Sequence, residues 1–205
     1  MKTKQEILNE KIKLPFTMPN SELLIYEAME EYAQQFSSRL EPLVMQKTAK
    51  KYFLDTEFIE QPNTIDLVSI GIVCNDGRKY YAISNQFDEA KANDWVLENV
   101  IYKLESLPRK SLAQIKTELL EFITGENIEF WGYYSDYDWV AFCWIFGTMM
   151  ELPSGYPMYC RDLKQLLDES GKDKIAEPVG EHNALADAEW NLKLYKHLTD
   201  SCFSA

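Results

Sequence analysis

Three segments rich in aromatic and β-branched residues follow one another between residues 51 and 87, with only turns between them. The first, Lys51–Glu60 (KYFLDTEFIE), contains no Gly or Pro and is closed by Gln61, Pro62 and Asn63, so it is expected to be a strand. Thr64–Cys74 (TIDLVSIGIVC) is a second strand, Asn75-Asp76-Gly77 a hairpin turn, and Arg78–Phe87 alternates as a third. Strands joined by such short connections pair as antiparallel neighbours, because a parallel return needs a crossover of a dozen residues or more. Any fold this chain adopts must accommodate that meander.

Beyond Phe87 helices and strands alternate. Ala92–Leu104 and Ser111–Ile123 read as helices separated by Pro108, and Ile128–Tyr134 as a fourth strand. The run Tyr137–Met150 is so apolar that a helix there must be largely buried. Met158–Arg161 is expected to be a short fifth strand, and Asp162–Glu169 a helix ended by Gly171. A polar loop, Lys172–Glu181, then leads to a last helix, Ala184–Leu198. A meander joined to alternating elements implies an α/β domain over residues 50–205, a mixed sheet with helices on both faces. Residues 1–49 stand apart as a helical N-terminal extension. In its helix, Glu22–Arg39, the residues Ile25, Met29, Tyr32, Ala33 and Phe36 recur at helical spacing. That stripe packs on the main domain, on a second copy to give a homodimer, or on a partner protein.

The first strand carries an anomaly. Side chains two apart on a strand share a face, which puts Asp55 and Glu57 roughly 6.6 Å apart on an otherwise apolar segment. Neighbouring carboxylates resist burial unless a cation or a shared proton compensates them, so metal binding is one reading and a solvent-facing strand-end acid the other. More acids and a histidine lie downstream. The fourth strand runs into Tyr133-Tyr134-Ser135-Asp136-Tyr137-Asp138, at the strand end where open α/β sheets place their sites. Ser135 or Asp136 suits a helix N-cap, while Asp138 falls in the first helical turn, where the helix dipole favours an acid. The last helix opens Glu181-His182-Asn183-Ala184-Leu185-Ala186-Asp187, with Asn183 as its N-cap and His182 on the preceding loop, free to turn toward Asp187.

The formal charge of −12 argues against broad electrostatic binding of nucleic acid, although metal ions can supply positive charge locally. Cys74, Cys143, Cys160 and Cys202 are scattered without a CxxC pair, which fits neither a zinc site nor a disulfide framework. No apolar run approaches the ~20 residues that cross a bilayer. Together with the polar opening Met1–Glu6, this sets the expectation of a cytoplasmic protein with no membrane partner.

Taken together, Asp55-Thr56-Glu57, then Tyr137-Asp138 leading a helix, then His182 with four residues before Asp187, resemble the DEDDh 3′–5′ exonucleases. Within that superfamily the surrounding residues (Tyr52–Glu60, Ile70–Val73, Asp76–Ala82 and His182–Ala188) are most similar to a compact bacterial and phage branch typified by a mycobacterial exoribonuclease. The resemblance covers about residues 51–199. It implies a ribonuclease-H-like fold and a metal-dependent 3′–5′ exoribonuclease acting on RNA 3′ ends or single-stranded overhangs. A DNA 3′–5′ exonuclease and a non-catalytic module that binds nucleic-acid ends are the alternatives. Carried over by position, Asp55, Glu57, Asp138 and Asp187 would hold two Mg2+ or Mn2+ ions, and His182 would be the general base. Thr56 and Phe58 are the candidate substrate contacts, with Tyr133, Tyr134 and Trp139 as further aromatics near the motifs. One position departs from the pattern: many of these enzymes carry Asn four residues before the third acid, where this chain has Tyr134.

Overall fold

In the computed structural model, residues 49–104, 106–178 and 182–200 are described. The expected N-terminal helix at Glu22–Arg39 lies outside them. The first strand, β1 (Lys50–Gln61), is the centre of a five-stranded sheet. It pairs antiparallel with β2 (Thr64–Cys74), which pairs antiparallel with β3 (Lys79–Ile83). On its other edge β1 runs parallel to β4 (Ile128–Gly132), followed by the two-residue β5 (Arg161–Asp162), giving the order β3-β2-β1-β4-β5. The mixed sheet agrees with the sequence expectation.

Alternation along β1 divides the core. Tyr52 and Leu54 point to one face, where Phe130 of β4, helix α2 (Leu112–Phe122) and helix α3 (Asp136–Phe146) pack, using Ile115, Leu119, Trp139, Phe142 and Phe146. Phe53 points to the other, against Trp131, helix α4 (Leu163–Ser170) and helix α5 (Ala184–Thr199), through Leu163, Leu167, Trp190, Leu194 and Leu198. The same period of two carries Asp55 onto the α5 face and Thr56 onto the α3 face. The sheet's pleat therefore decides which helix each functional residue meets.

Several boundaries differ from the sequence reading, each for a local reason. The third strand ends at Ile83 rather than Phe87, its last bond to β2 being Ser84 N–H to Val68 O at 2.8 Å. The chain there pairs with an incoming segment instead: Lys110 N–H donates to Ile83 O at 2.8 Å and Asn85 N–H to Lys110 O at 2.9 Å. The helix expected over Ala92–Leu104 is only α1 (Asp94–Asn99), followed by a 3₁₀ turn at Ile101–Lys103. Burial of Val100 and Ile101 against Ile59 and Val68 takes precedence over continuing the helix. Helix α3 stops at Phe146 because Gly147 turns the chain at φ 122°. The fifth strand sits three residues later than its expected start, pairing Arg161 with Trp131 and Asp162 with Gly132.

Candidate active site

β1 outruns β4. Their pairing ends at Phe53 and Trp131, so beyond Leu54 that edge of β1 is open, at the carboxyl end of the parallel strands. The Thr56 N–H has no β4 partner there and donates to Asp138 Oδ1 at 2.8 Å, and the Thr56 hydroxyl donates to the same oxygen at 2.6 Å. Asp138 lies in the first turn of α3 and is buried, whereas Asp136 is exposed and does not line the cleft. Of the two residues suited to the N-cap, Ser135 holds the position, but its side chain caps nothing. Its N–H donates to Asp162 Oδ2 at 2.9 Å, while the other oxygen of Asp162 caps α4 by accepting from Gln165 N–H at 2.9 Å. Asp162 thus ties the starts of α3 and α4 together. Tyr134, where the related pattern has Asn, adopts φ 55° in the turn and is exposed outside the cleft lining.

The second half of the site depends on a glycine. Gly71 of β2 lies opposite Asp55, and a Cβ there would overlap the Ala184 carbonyl and the Leu185 nitrogen. Only a residue without a side chain lets the first turn of α5 rest on the sheet beside Asp55. Asn183 caps that turn, its Oδ1 accepting from the N–H groups of Leu185 and Ala186 at 3.1 Å each. Two turns along, buried Asn191 donates to the Leu54 carbonyl at 2.9 Å and pins the helix to β1. Asp187 is carried to the carboxylate pair as a result.

Asp55, Glu57 and Asp187 each present an oxygen, and these three atoms lie within 4.8 Å of one another. Crowding and burial raise the proton affinity of the acids. Asp55 is pushed well above its ordinary value by burial and then by the charges of Asp138, Glu57 and Asp187. Glu57 rises to about 8, through burial and the charges of Asp187 and Asp138. Asp138 rises only to about 6, because its burial is opposed by the two hydrogen bonds from Thr56. Hard oxygen donors gathered without a Lys or Arg ion pair to Asp55 or Glu57 among the described residues are the donor set that Mg2+ or Mn2+ prefers.

His182 sits at the start of the same arrangement, with φ 67°. Its backbone N–H, rather than its ring, donates to Asp187 Oδ2 at 3.1 Å. Its ring meets Trp95 of α1, centroid to centroid 4.8 Å, at 79°. The cleft around these groups has a volume of about 560 Å³, and its lining includes all of Asp55, Thr56, Glu57, Phe58, Asp138, His182 and Asp187. Gly71, Asn191 and Trp95 are what the sequence reading missed. A Gly inside a strand signals close backbone approach, and an Asn four residues after Asp187 shares its helix face, but no sequence pattern marks Trp95.

Comparison with known proteins decides what family this geometry belongs to. Residues 50–199 match the model of the 3′–5′ exoribonuclease Rv2179c-like domain. The chain belongs to this family. It is 40% identical over 158 residues to the 3′–5′ exoribonuclease Rv2179c of Mycobacterium tuberculosis, covering 74% of this chain and 94% of that protein. Among solved structures, Escherichia coli exonuclease I in complex with a dT13 oligonucleotide aligns with a TM-score of 0.54 at 12% identity, over 75% of this chain. This chain spans only 41% of that protein's length, and the likeness is one of fold. The Rv2179c-like chain therefore has the ribonuclease-H-like exonuclease fold, a mixed sheet with acids gathered where its central strand runs past β4.

Proposed function

We propose that this Rv2179c-like protein is a 3′–5′ exoribonuclease that hydrolyses the last phosphodiester of RNA 3′ ends or single-stranded overhangs, releasing nucleoside 5′-monophosphates. The observation that carries the reading is the set of three carboxyl oxygens within 4.8 Å, closed in by a fourth acid, in a cleft of a chain belonging to an exoribonuclease family. In this proposal Asp55, Glu57, Asp138 and Asp187 hold two Mg2+ or Mn2+ ions. Such ions, when bound, lower the pKa of water and offset charge on the attacking and leaving oxygens.

The chain's own residues do the rest. Asp138 lines the cleft with one oxygen committed to Thr56, which leaves its second oxygen to take part in holding a cation. Thr56 thus serves the carboxylate, while Phe58 serves the substrate. The Phe58 ring lies 5.9 Å from Tyr137 at the cleft's edge, and the pair offers a face on which the terminal base stacks. His182 takes the proton of the attacking water, a role suited to an imidazole on the loop beside Asp187. Elevated proton affinity in the acids means that divalent cations compete with protons there.

5′-Labelled RNA and DNA oligonucleotides incubated with Mg2+ or Mn2+ test the reading. A ladder shortening from the 3′ end, faster on RNA and abolished by EDTA, is expected. Faster cutting of DNA would establish the alternative substrate, and retarded but uncut RNA a binding module. We further assign the exonuclease domain to residues 50–205, with residues 1–49 as a separate extension. Protein lacking residues 1–48 is expected to keep its nuclease activity, and sizing before and after the deletion reads whether the extension joins two copies. Among the described residues no helix is long and apolar enough to cross a membrane.

A further inference from the structure

Trp95 belongs to none of the sequence motifs, yet it stands at the lip of the cleft, 53% exposed. Its backbone is well fixed. Asn93 caps α1 by accepting from Val96 N–H at 2.9 Å, and Val96 and Leu97 pack against the buried cluster of Ile59, Val68, Val100 and Ile101. Ile59 is two residues beyond Glu57 on β1, so α1 is anchored to the strand that carries the acids. The Trp95 side chain, projecting from this anchor, makes the 4.8 Å perpendicular ring contact with His182.

Among the described residues, no hydrogen bond or second ring contact orients the His182 imidazole. Its backbone is in the left-handed region and its N–H is bonded to Asp187, which fixes the main chain but not the imidazole. From this we infer that Trp95 is a positioning residue for His182, an indole wall that holds the imidazole in its working direction at the mouth of the carboxylate cluster. The inference rests on His182 acting as the general base. An edge-to-face aromatic contact biases a ring's orientation several-fold to about ten-fold, and that is the scale of effect on turnover. Trp95 does not touch the reacting atoms. It acts by raising the fraction of molecules whose imidazole is in place.

The test measures kcat and KM on a short RNA at saturating Mn2+ for wild type, Trp95→Ala, Trp95→Phe, His182→Ala and the double variant Trp95→Ala/His182→Ala. Trp95→Ala is expected to lower kcat about ten-fold with KM within about two-fold of wild type, and Trp95→Phe to recover most of the loss. In the His182→Ala background Trp95→Ala should change kcat no further. A raised KM with unchanged kcat would overturn the inference in favour of base stacking by Trp95. The same fold-loss in both backgrounds would also overturn it, because Trp95 would then act without His182. Wild-type kcat in His182→Ala is a different failure, that of the general-base reading itself, and takes the inference with it.

Discussion

The two halves of the site are built differently. On one side, Asp55 and Glu57 ride the central strand, and Asp138 is locked by two hydrogen bonds from Thr56 on that strand. On the other, Asp187 and His182 belong to α5 and the loop before it, and they reach the strand through Gly71's missing side chain, the Asn191 bond to Leu54 and the ring of Trp95. The first half is made by alternation within β1 and by the helix that continues from the neighbouring strand. The second depends on three contacts between distant parts of the chain. Two of the acids thus come from alternation within one strand, while Asp187 and His182 owe their places to long-range packing.

The largest effect should come from the strand half. Asp55→Asn or Glu57→Gln removes a charged oxygen donor, and RNA hydrolysis is expected to fall by roughly three orders of magnitude or more. The same substitutions should stabilise the metal-free protein. Glu57 is held at about 8, above the ordinary 4.5, so the folded state retains a proton that the unfolded chain releases. The contribution of this group to metal-free stability is therefore fully present below about pH 4.5 and is lost as pH rises through about 8. Melting in EDTA should show wild type losing stability between about pH 5 and about pH 8, with Glu57→Gln losing less, by about 1–3 kcal/mol after allowance for partial exposure. Equal losses would show that the acids are not in conflict with one another.

Next in size is His182→Ala. Loss of a positioned general base typically costs roughly 10²- to 10⁴-fold, and Mn2+ affinity measured by titration calorimetry should be nearly unchanged. If metal affinity collapsed together with activity, the two halves would not be separable as described. Gly71→Ala strikes the link between them. Its Cβ must displace the backbone at Ala184 and Leu185, so activity should drop on the order of 10²-fold, with a melting temperature several degrees lower. Activity at the wild-type level in Gly71→Ala would mean that the approach of α5 is not critical for placing His182 and Asp187.

Thr56→Val is the mildest change. It keeps the strand and its shape but removes the hydroxyl donor to Asp138, leaving the N–H bond at 2.8 Å. A loss of about 1 kcal/mol in stability and several-fold in kcat is expected. A drop as large as that of Asp55→Asn would give Thr56 a direct role on the substrate.

Comparison of the halves also explains what could be read in the amino-acid sequence. β2 and the Asn75–Gly77 turn follow from β-branched alternation and turn chemistry, which are local. The acids are visible because carboxylates on an apolar strand are conspicuous, and their grouping with His182 because the spacing resembles a known pattern. Legibility fails where distant residues decide. Nothing in Arg78–Phe87 announces that Lys110 will take over the pairing after Ile83. Gly147, which ends α3, is readable as a stop, yet the apolar run around it masks the signal. Trp95 meets His182 from a distant part of the chain, a contact that no periodicity encodes.

Anomalous diffraction from crystals grown with Mn2+ reads whether the carboxylate cluster holds a pair of ions. Two peaks about 3.5–4 Å apart are expected, ligated among Asp55, Glu57, Asp138 and Asp187, with neither present in the Asp55→Asn variant. Absence of manganese from this cluster, or its binding elsewhere in the protein while activity persists, would contradict the account.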